Sequence, residues 1–315
     1  MSRTRWLPEA DTPLFILAMD HRASFARDVF DIIVEPTSDE IARMRTAKSR
    51  IYEGLRRVRT RESCRLGVLV DERFGSPVIK AARRDGVVLA MPIEKSGSAV
   101  FELEYGDRFA DHVAAFEPDF VKVLVRDNPD DDADQRAVQL ARLQAVSAWA
   151  AGEGRPWLFE LLVPPTRRQL ARADGHDRYD RDLRPALTAE VIAQFQAGSV
   201  HPSIWKLEGY DTAGGAEQVL AAVAADHDHP ARCVVLGRDA PIGRVQSWLR
   251  VGAAHPGYAG FAVGRTIWEQ PLKAHLAGHL TAEQFTDDVA QTYEQLIDTY
   301  MTTRDAAGVG RSRNP

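Results

Sequence analysis

Ile204-Trp205-Lys206-Leu207-Glu208 is a short strand-like run with a lysine at its centre. Side chains alternate across a strand, so Ile204, Lys206 and Glu208 share one face while Trp205 and Leu207 share the other. Bulky Trp205 and Leu207 suit a helix-covered outside, which leaves Lys206 pointing inward. Seven more such runs occur: Leu14–Asp20, Leu66–Asp71, Val87–Glu94, Phe120–Arg126, Trp157–Val163, Arg232–Gly237 and Gly260–Gly264. Most are continuously apolar, as parallel strands covered on both faces are. Amphipathic stretches separate them: Ser38–Arg57, Ser76–Arg84, Asp107–Phe116, Asp132–Ala151, Ala189–Gln196, Ala213–Ala225 and Ile242–Val251. Glu269–Leu280 and Ala282–Met301 follow the last run. Eight strand-then-helix units predict an α/β fold, a (β/α)8 TIM barrel. An open doubly wound sheet is the rival, and it lacks its GxGxxG after the first run.

The chain has 315 residues, and a barrel of this kind takes about 250 before insertions. One barrel over residues 1–302 is therefore expected, with a loose, Gly- and Arg-containing tail over 303–315. Ser38-Asp39-Glu40-Ile41 and Thr281-Ala282-Glu283-Gln284 look like capped helix starts. The polar stretch Pro164–Pro185 is long for a compact domain and falls on the expected active face, as a lid or a disordered loop would. A net charge of −5 argues against nucleic-acid binding. No apolar run is long enough to span a bilayer, and the opening residues 1–9 lack the core of a secretion signal. Cys64 and Cys233 stand far apart, in no metal-type spacing, as reduced thiols of a cytoplasmic protein. A small-molecule ligand is expected, with no membrane and no nucleic acid as partner; a homo-oligomer is compatible.

Active sites of such barrels lie at the carboxyl ends of the strands. Those ends read Asp20-His21-Arg22, Asp71-Glu72-Arg73, Glu94-Lys95, Lys122 with Arg126, Glu160, Lys206 with Glu208, Gly237-Arg238-Asp239 and Gly264-Arg265. Only six of the 40 basic residues are lysine (Lys48, Lys80, Lys95, Lys122, Lys206 and Lys273), so a lysine within a strand is there for something arginine cannot supply. Burial disfavours an ammonium and favours the nucleophilic amine. A second cation adds to this, and Lys122 in Phe120-Val121-Lys122-Val123-Leu124 is placed to be that cation. The bland alternative for Lys206 is a lysine paired with a carboxylate in a polar plug. Glu160, one strand earlier in Trp157-Leu158-Phe159-Glu160-Leu161-Leu162, is a candidate acid/base whose pKa burial would raise. Its alternative is a salt bridge to Lys122 or Lys206.

Gly237-Arg238 and Gly264-Arg265 follow strands 7 and 8, where barrels commonly hold phosphate on loop amides and a helix start. Plain turn glycines with solvated arginines are the alternative. His21, Asp20, Asp71, Glu72 and Glu94 cluster well enough for carboxylates to hold Mg²⁺, but this metal reading comes second, and neither metal nor cofactor is expected. Asp226-His227-Asp228-His229-Pro230 looks like a metal tract, yet it follows a helix and precedes strand 7, so it reads as a solvated loop on the opposite, stability face.

The stretches LAMDHR (17–22), VDERFG (70–75), MPIEKSG (91–97), VKVLVRD (121–127), FELLVP (159–164), IWKLEG (204–209), VLGR (235–238) and GFAVGRTIW (260–268) together carry a resemblance. The chain resembles the aldolase-like domain found fused behind 5-dehydro-2-deoxygluconokinase in bacterial inositol catabolism. More distantly it is similar to the class I aldolases that split tagatose 1,6-bisphosphate and sulfofructose phosphate. That resemblance implies Lys206 as the Schiff-base lysine, Lys122 as the strand 4 lysine, Glu160 as acid/base and Asp20 as the strand 1 acid. It implies Arg265 as the phosphate-binding arginine, with Arg22, Arg73 or Arg126 for a substrate carboxylate. His21 stands where the tagatose enzymes have glutamine. The implied substrate is 2-deoxy-5-keto-gluconate 6-phosphate. A tagatose- or sulfofructose-phosphate aldolase, a metal-dependent lyase using Asp20, Glu72 and Glu94, and a non-catalytic sugar-phosphate sensor are the alternatives.

Overall fold

The computed structural model describes residues 7–9, 11–59 and 63–309. Eight parallel strands close into a barrel in sequence order. Helices α1 (Ala23–Phe30) and α2 (Ser38–Arg57) follow β1 (Leu14–Ala18), and α3 (Glu72–Asp85) follows β2 (Arg65–Leu69). Next come β3 (Val88–Pro92) with α4 (Phe109–Phe116), then β4 (Phe120–Arg126) with α5 (Ala133–Gly152). Strand β5 (Trp157–Leu162) leads into α6 (Arg167–Ala173), α7 (His176–Arg178) and α8 (Arg184–Ala197). The remaining units are β6 (Ile204–Glu208) with α9 (Ala213–Ala224), β7 (Arg232–Leu236) with α10 (Ile242–Ala253), and β8 (Tyr258–Val263) with α11 (Arg265–Leu276) and α12 (Ala282–Ala306).

The alternation read from β6 holds around the ring. Leu14, Ile16, Leu69, Ala90, Phe120, Leu158, Ile204, Val234 and Ala262 form a small buried cluster inside the barrel. Trp205, Leu207, Phe159 and Phe261 belong to the larger cluster between strands and helices. The barrel is thus filled at its floor by apolar side chains, and Lys122, Glu160 and Lys206 stand on top of that filling.

Several boundaries differ from the sequence reading for identifiable reasons. The cap of α2 is Thr37, not Ser38: its hydroxyl accepts from Glu40 N–H and the Glu40 carboxylate accepts from Thr37 N–H, a complete capping box. Helix α3 starts at Glu72 because Asp71 at the strand end also caps it, accepting from Phe74 N–H. Residues 303–306 are not tail but the last turn of α12, with Arg304 buried; 310–315, like the opening residues 1–6, lie outside the described residues. Pro164–Pro185 is neither a lid loop nor disordered. It folds as α6, α7 and a π-turn over Tyr179–Leu183 that runs into α8, and the Tyr179 hydroxyl donates to the Val163 carbonyl at 2.8 Å.

The β1–β8 seam closes the ring. Leu14 lies beside Gly260, whose φ of 127° is one that side chains rarely tolerate, and a Cβ there would fall 1.9 Å from the Leu14 carbonyl oxygen. Helix α12 buttresses the seam: Tyr293 donates to the Phe15 carbonyl at 2.5 Å and Tyr300 to the Tyr258 carbonyl at 2.7 Å. Gly260→Ala combines backbone strain with loss of a ladder bond, so we expect it to cost about 3 kcal/mol. An unchanged urea midpoint for that variant would refute this account of the seam.

Candidate active site

The strand ends surround a cavity of about 390 Å³ lined by Asp20, Glu94, Lys122, Glu160, Lys206 and Arg265 among others. Lys122 is its centre. Its Nζ lies 2.7 Å from Asp20 Oδ2, 2.9 Å from Glu94 Oε1 and 2.9 Å from Glu160 Oε2, with the lysine buried. Register places Lys122 beside Leu158 and Glu160 beside Lys206, so the Lys122 stem rises one layer to reach the carboxylates. The other oxygen of Glu160 sits 2.8 Å from Lys206 Nζ. Glu160 is therefore shared between the two lysines, and the alternative of a salt bridge to one or the other resolves into both.

Burial is the largest influence on Glu160 and pushes its carboxyl up. Lys122 and Lys206 together outweigh it and hold Glu160 below the usual glutamate range, the reverse of the sequence expectation. Asp20 behaves alike: burial raises it, but Lys122 and Lys206 leave it well below the aspartate range. Burial also works against the Lys122 charge, yet Asp20, Glu160 and Glu94 hold that ammonium above the ordinary lysine range. Glu94 is the exception, where burial prevails over Lys122 and Arg22 and pushes its carboxyl up.

Strand β3 delivers Glu94 through a hairpin-like excursion, with Glu94 bridged to Leu103 and Glu104 N–H donating to the Ile93 carbonyl. This brings Glu94 and Glu104 to Arg22, at 3.2 and 3.3 Å. The preceding residue, His21, is held neutral, its pKa pushed down to about 4 by burial. Its carbonyl accepts from Lys48 Nζ at 3.0 Å, and Lys48, wholly buried on α2, also pairs with Asp71. Lys48 is a residue that the strand-by-strand reading missed; its only signal was the scarcity of lysine.

These partners weigh against the metal-lyase reading. Asp20 and Glu94 are already neutralised around Lys122, which fills the place a cation would take. Glu72 turns away to His112 at 3.0 Å, and Asp71 is spent on Lys48 and the α3 cap.

The arginines divide. Arg265 lines the cavity where α11 begins, its first turn lacking a side-chain cap, with its guanidinium paired to Asp239 and 3.6 Å from Asp28. Gly264 is required there, since a Cβ would lie 2.4 Å from the Ala18 carbonyl oxygen. Gly237 is tight as well, since a Cβ there would lie 2.9 Å from Val263 Cγ1. Arg126 ends β4 at the cavity rim and has no ion pair among the described residues. One assignment needs correction: Arg73 faces away onto Phe74 and Glu35, outside the cavity. Arg238 lines the cavity with its guanidinium held by Asp180 at 2.5 Å and Glu208 at 2.8 Å. Arg238 and Asp239 both have positive φ, 46° and 53°, a strained pair of the kind that costs about 1–3 kcal/mol per residue and collects at functional sites.

The Corynebacterium glutamicum protein Cgl0159 is 19% identical, with a TM-score of 0.60, covering 94% of this chain and 88% of its own. An archaeal fructose 1,6-bisphosphate aldolase is 11% identical, with a TM-score of 0.54, covering 93% and 95%. A Schiff-base-forming fructose-1,6-bisphosphate aldolase is 11% identical, with a TM-score of 0.53, covering 89% and 94%. These likenesses establish an aldolase-like barrel fold. No curated protein matches by sequence. A family model spans residues 3–304, and the chain belongs to that family, DUF2090, described as an uncharacterized protein conserved in bacteria.

Proposed function

We propose that the protein is a class I aldolase in which Lys206 forms a Schiff base with a ketose-type sugar-acid phosphate. The observation that carries this reading is the Lys206–Glu160–Lys122 chain at the floor of the cavity. It places a buried primary amine against a carboxylate that a second, permanently charged lysine keeps ionised. The fold likeness to a Schiff-base-forming aldolase supports it.

The substrate we infer is 2-deoxy-5-keto-gluconate 6-phosphate, supported by the sequence resemblance and by cations at opposite sides of the cavity. Arg265 and the uncapped start of α11 would take the phosphate. Arg126, without an ion pair, or Arg22 would take the carboxylate. Glu160 takes a proton from the Lys206 ammonium, the free amine adds to the C5 ketone, and Glu160 returns that proton to the departing hydroxyl as water leaves and a protonated imine forms. Glu160 takes the proton of the C3 hydroxyl, the C3–C4 bond breaks, and its electron pair moves into the imine to give an enamine. Malonate semialdehyde leaves. Protonation of the enamine at C4 and hydrolysis release dihydroxyacetone phosphate and regenerate Lys206. In this scheme Lys122 reaches the reacting centre only through Glu160, and Asp20 only through Lys122, so they position and tune it.

Borohydride trapping with dihydroxyacetone phosphate, followed by peptide mapping, should place the reduced adduct on Lys206. Lys206→Arg should lower turnover by at least about a thousandfold, because guanidinium stays protonated and cannot form the imine; retained cleavage in that variant would sink the mechanism. Glu160→Gln should lose about 10²–10⁴ in kcat, the usual range for an acid/base group.

The pH profile tests Lys122. Glu160 must be ionised to accept a proton, so activity is present above its pKa and lost as pH falls through it. Lys122→Met removes the ammonium that holds Glu160 and Asp20 down, so the acid limb of kcat/KM should move to higher pH. An acid limb that stays in place would show that Lys122 does not tune them. Arg126→Ala should raise KM for the carboxylate-bearing substrate by about tenfold or more with little change in kcat. An unchanged KM would assign the carboxylate to Arg22.

A further inference from the structure

The end of the barrel opposite the cavity gathers three side chains that the aldolase reading does not use. His201 lies on the loop before β6, Asp226 just beyond α9, and His229 on the loop into β7. Asp226 Oδ2 is 2.7 Å from His201 Nδ1, and Asp226 Oδ1 is 3.1 Å from His229 Nδ1. The two imidazoles stack face to face, with centroids 3.7 Å apart and planes 15° apart. One ligand atom from each of the three residues can be chosen so that all lie within 4.8 Å of one another.

We propose that His201, Asp226 and His229 bind a divalent transition-metal ion of the zinc class. Two imidazole nitrogens and one carboxylate oxygen suit Zn²⁺, Ni²⁺ or Co²⁺ and not Mg²⁺ or Ca²⁺, which prefer all-oxygen shells. Bonds of about 2.0–2.1 Å to a tetrahedral ion put neighbouring donors about 3.3 Å apart; Asp226 now offers a different oxygen to each imidazole, so one oxygen and two ring nitrogens close on the ion from separations of up to 4.8 Å. The fourth position is left to water.

Three observations favour an ion over a plain hydrogen-bonded trio. Among the described residues Asp226 pairs with no arginine or lysine, only with the two histidines, so its charge has no permanent counterion. Asp228 in the same loop adds to the negative charge. The His201 backbone is fixed on both sides, its N–H donating to Ser147 Oγ at 3.1 Å and its carbonyl accepting from Trp157 Nε1 at 3.0 Å. The ligand from β6's leading loop is thus preorganised. A cavity of about 300 Å³ bordered by His201 and His229 gives an ion and its water access. The ion would clip the α9–β7 loop to the β5–β6 side of the barrel, a structural role at the stability face.

The test uses the full chain stripped with chelator. Zn²⁺ titrated into it near neutral pH should bind at a single site per chain with a dissociation constant in the micromolar range or tighter. At a hundredfold excess over that constant the melting temperature should rise by about 4 °C. Co²⁺ in its place should give the visible absorption of a four-coordinate site. His229→Ala removes an exposed side chain and should weaken Zn²⁺ binding by at least about a hundredfold, as should Asp226→Asn, while His227→Ala in the same loop should bind as the parent does. Absence of Zn²⁺ binding by the parent overturns the proposal. So does binding by His229→Ala and Asp226→Asn equal to the parent's, which would place the ion elsewhere. None of these readouts depends on aldol cleavage.

Discussion

The site depends on one ammonium. Three carboxylates from β1, β3 and β5 meet in a buried space, and no such group could form without a cation at its centre. Lys122 is that cation, and it contacts all three within hydrogen-bond distance. Removing a partner from a buried charge cluster is far more costly than the net worth of the pairing. The charges also fix one another's orientation. Glu160 can offer one oxygen to Lys206 only because Lys122 holds the other, and Arg22 reaches Glu94 only because the β3 excursion turns Glu94 inward. What resembles a metal site in composition is thus an all-protein device with a lysine in the place of the ion.

A second buried network carries the same logic to the far side of the cavity. Asp180, from the turn before α8, accepts from both Arg184 and Arg238, and Arg238 reaches Glu208 on β6. Arg184 also donates to the Gly209 carbonyl. The insertion after β5 is therefore tied to β6 and to the strained loop after β7. Those ties explain why so polar a stretch is nonetheless ordered.

Much of this was legible in the sequence because strand and helix periods differ, and most runs ended in turn residues. β4 and β6 were bounded correctly for that reason. β8 begins two residues earlier than read, since Gly260 looks like a strand start and is instead a kink within the strand. The lysines and Glu160 were found because charges inside apolar runs are rare. Arginines at strand ends carry no such mark. Arg73 and Arg238 differ from Arg265 only through Glu35, Asp180 and Asp239, partners that the linear order does not reveal. The direction of the Glu160 shift was misread for a related reason: burial was visible in the sequence, but the number of cations facing it was not. His201 escaped notice as a companion of Asp226 and His229 because the loops before β6 and β7 become neighbours only when the barrel closes.

The seam between β1 and β8 has a consequence for synthesis. Strand β1 is made before the other seven strands, yet one of its two edges is covered only by β8, and that junction is braced by tyrosines from α12. On the ribosome, at about 5–20 residues per second, the Leu14–Ala18 edge must wait for nearly all of the remaining chain. Throughout that interval it presents an apolar strand with open backbone groups, the feature that templates misassociation. The time for which the first strand waits for its second neighbour is thus an exposure to misassociation separate from the stability of the closed barrel.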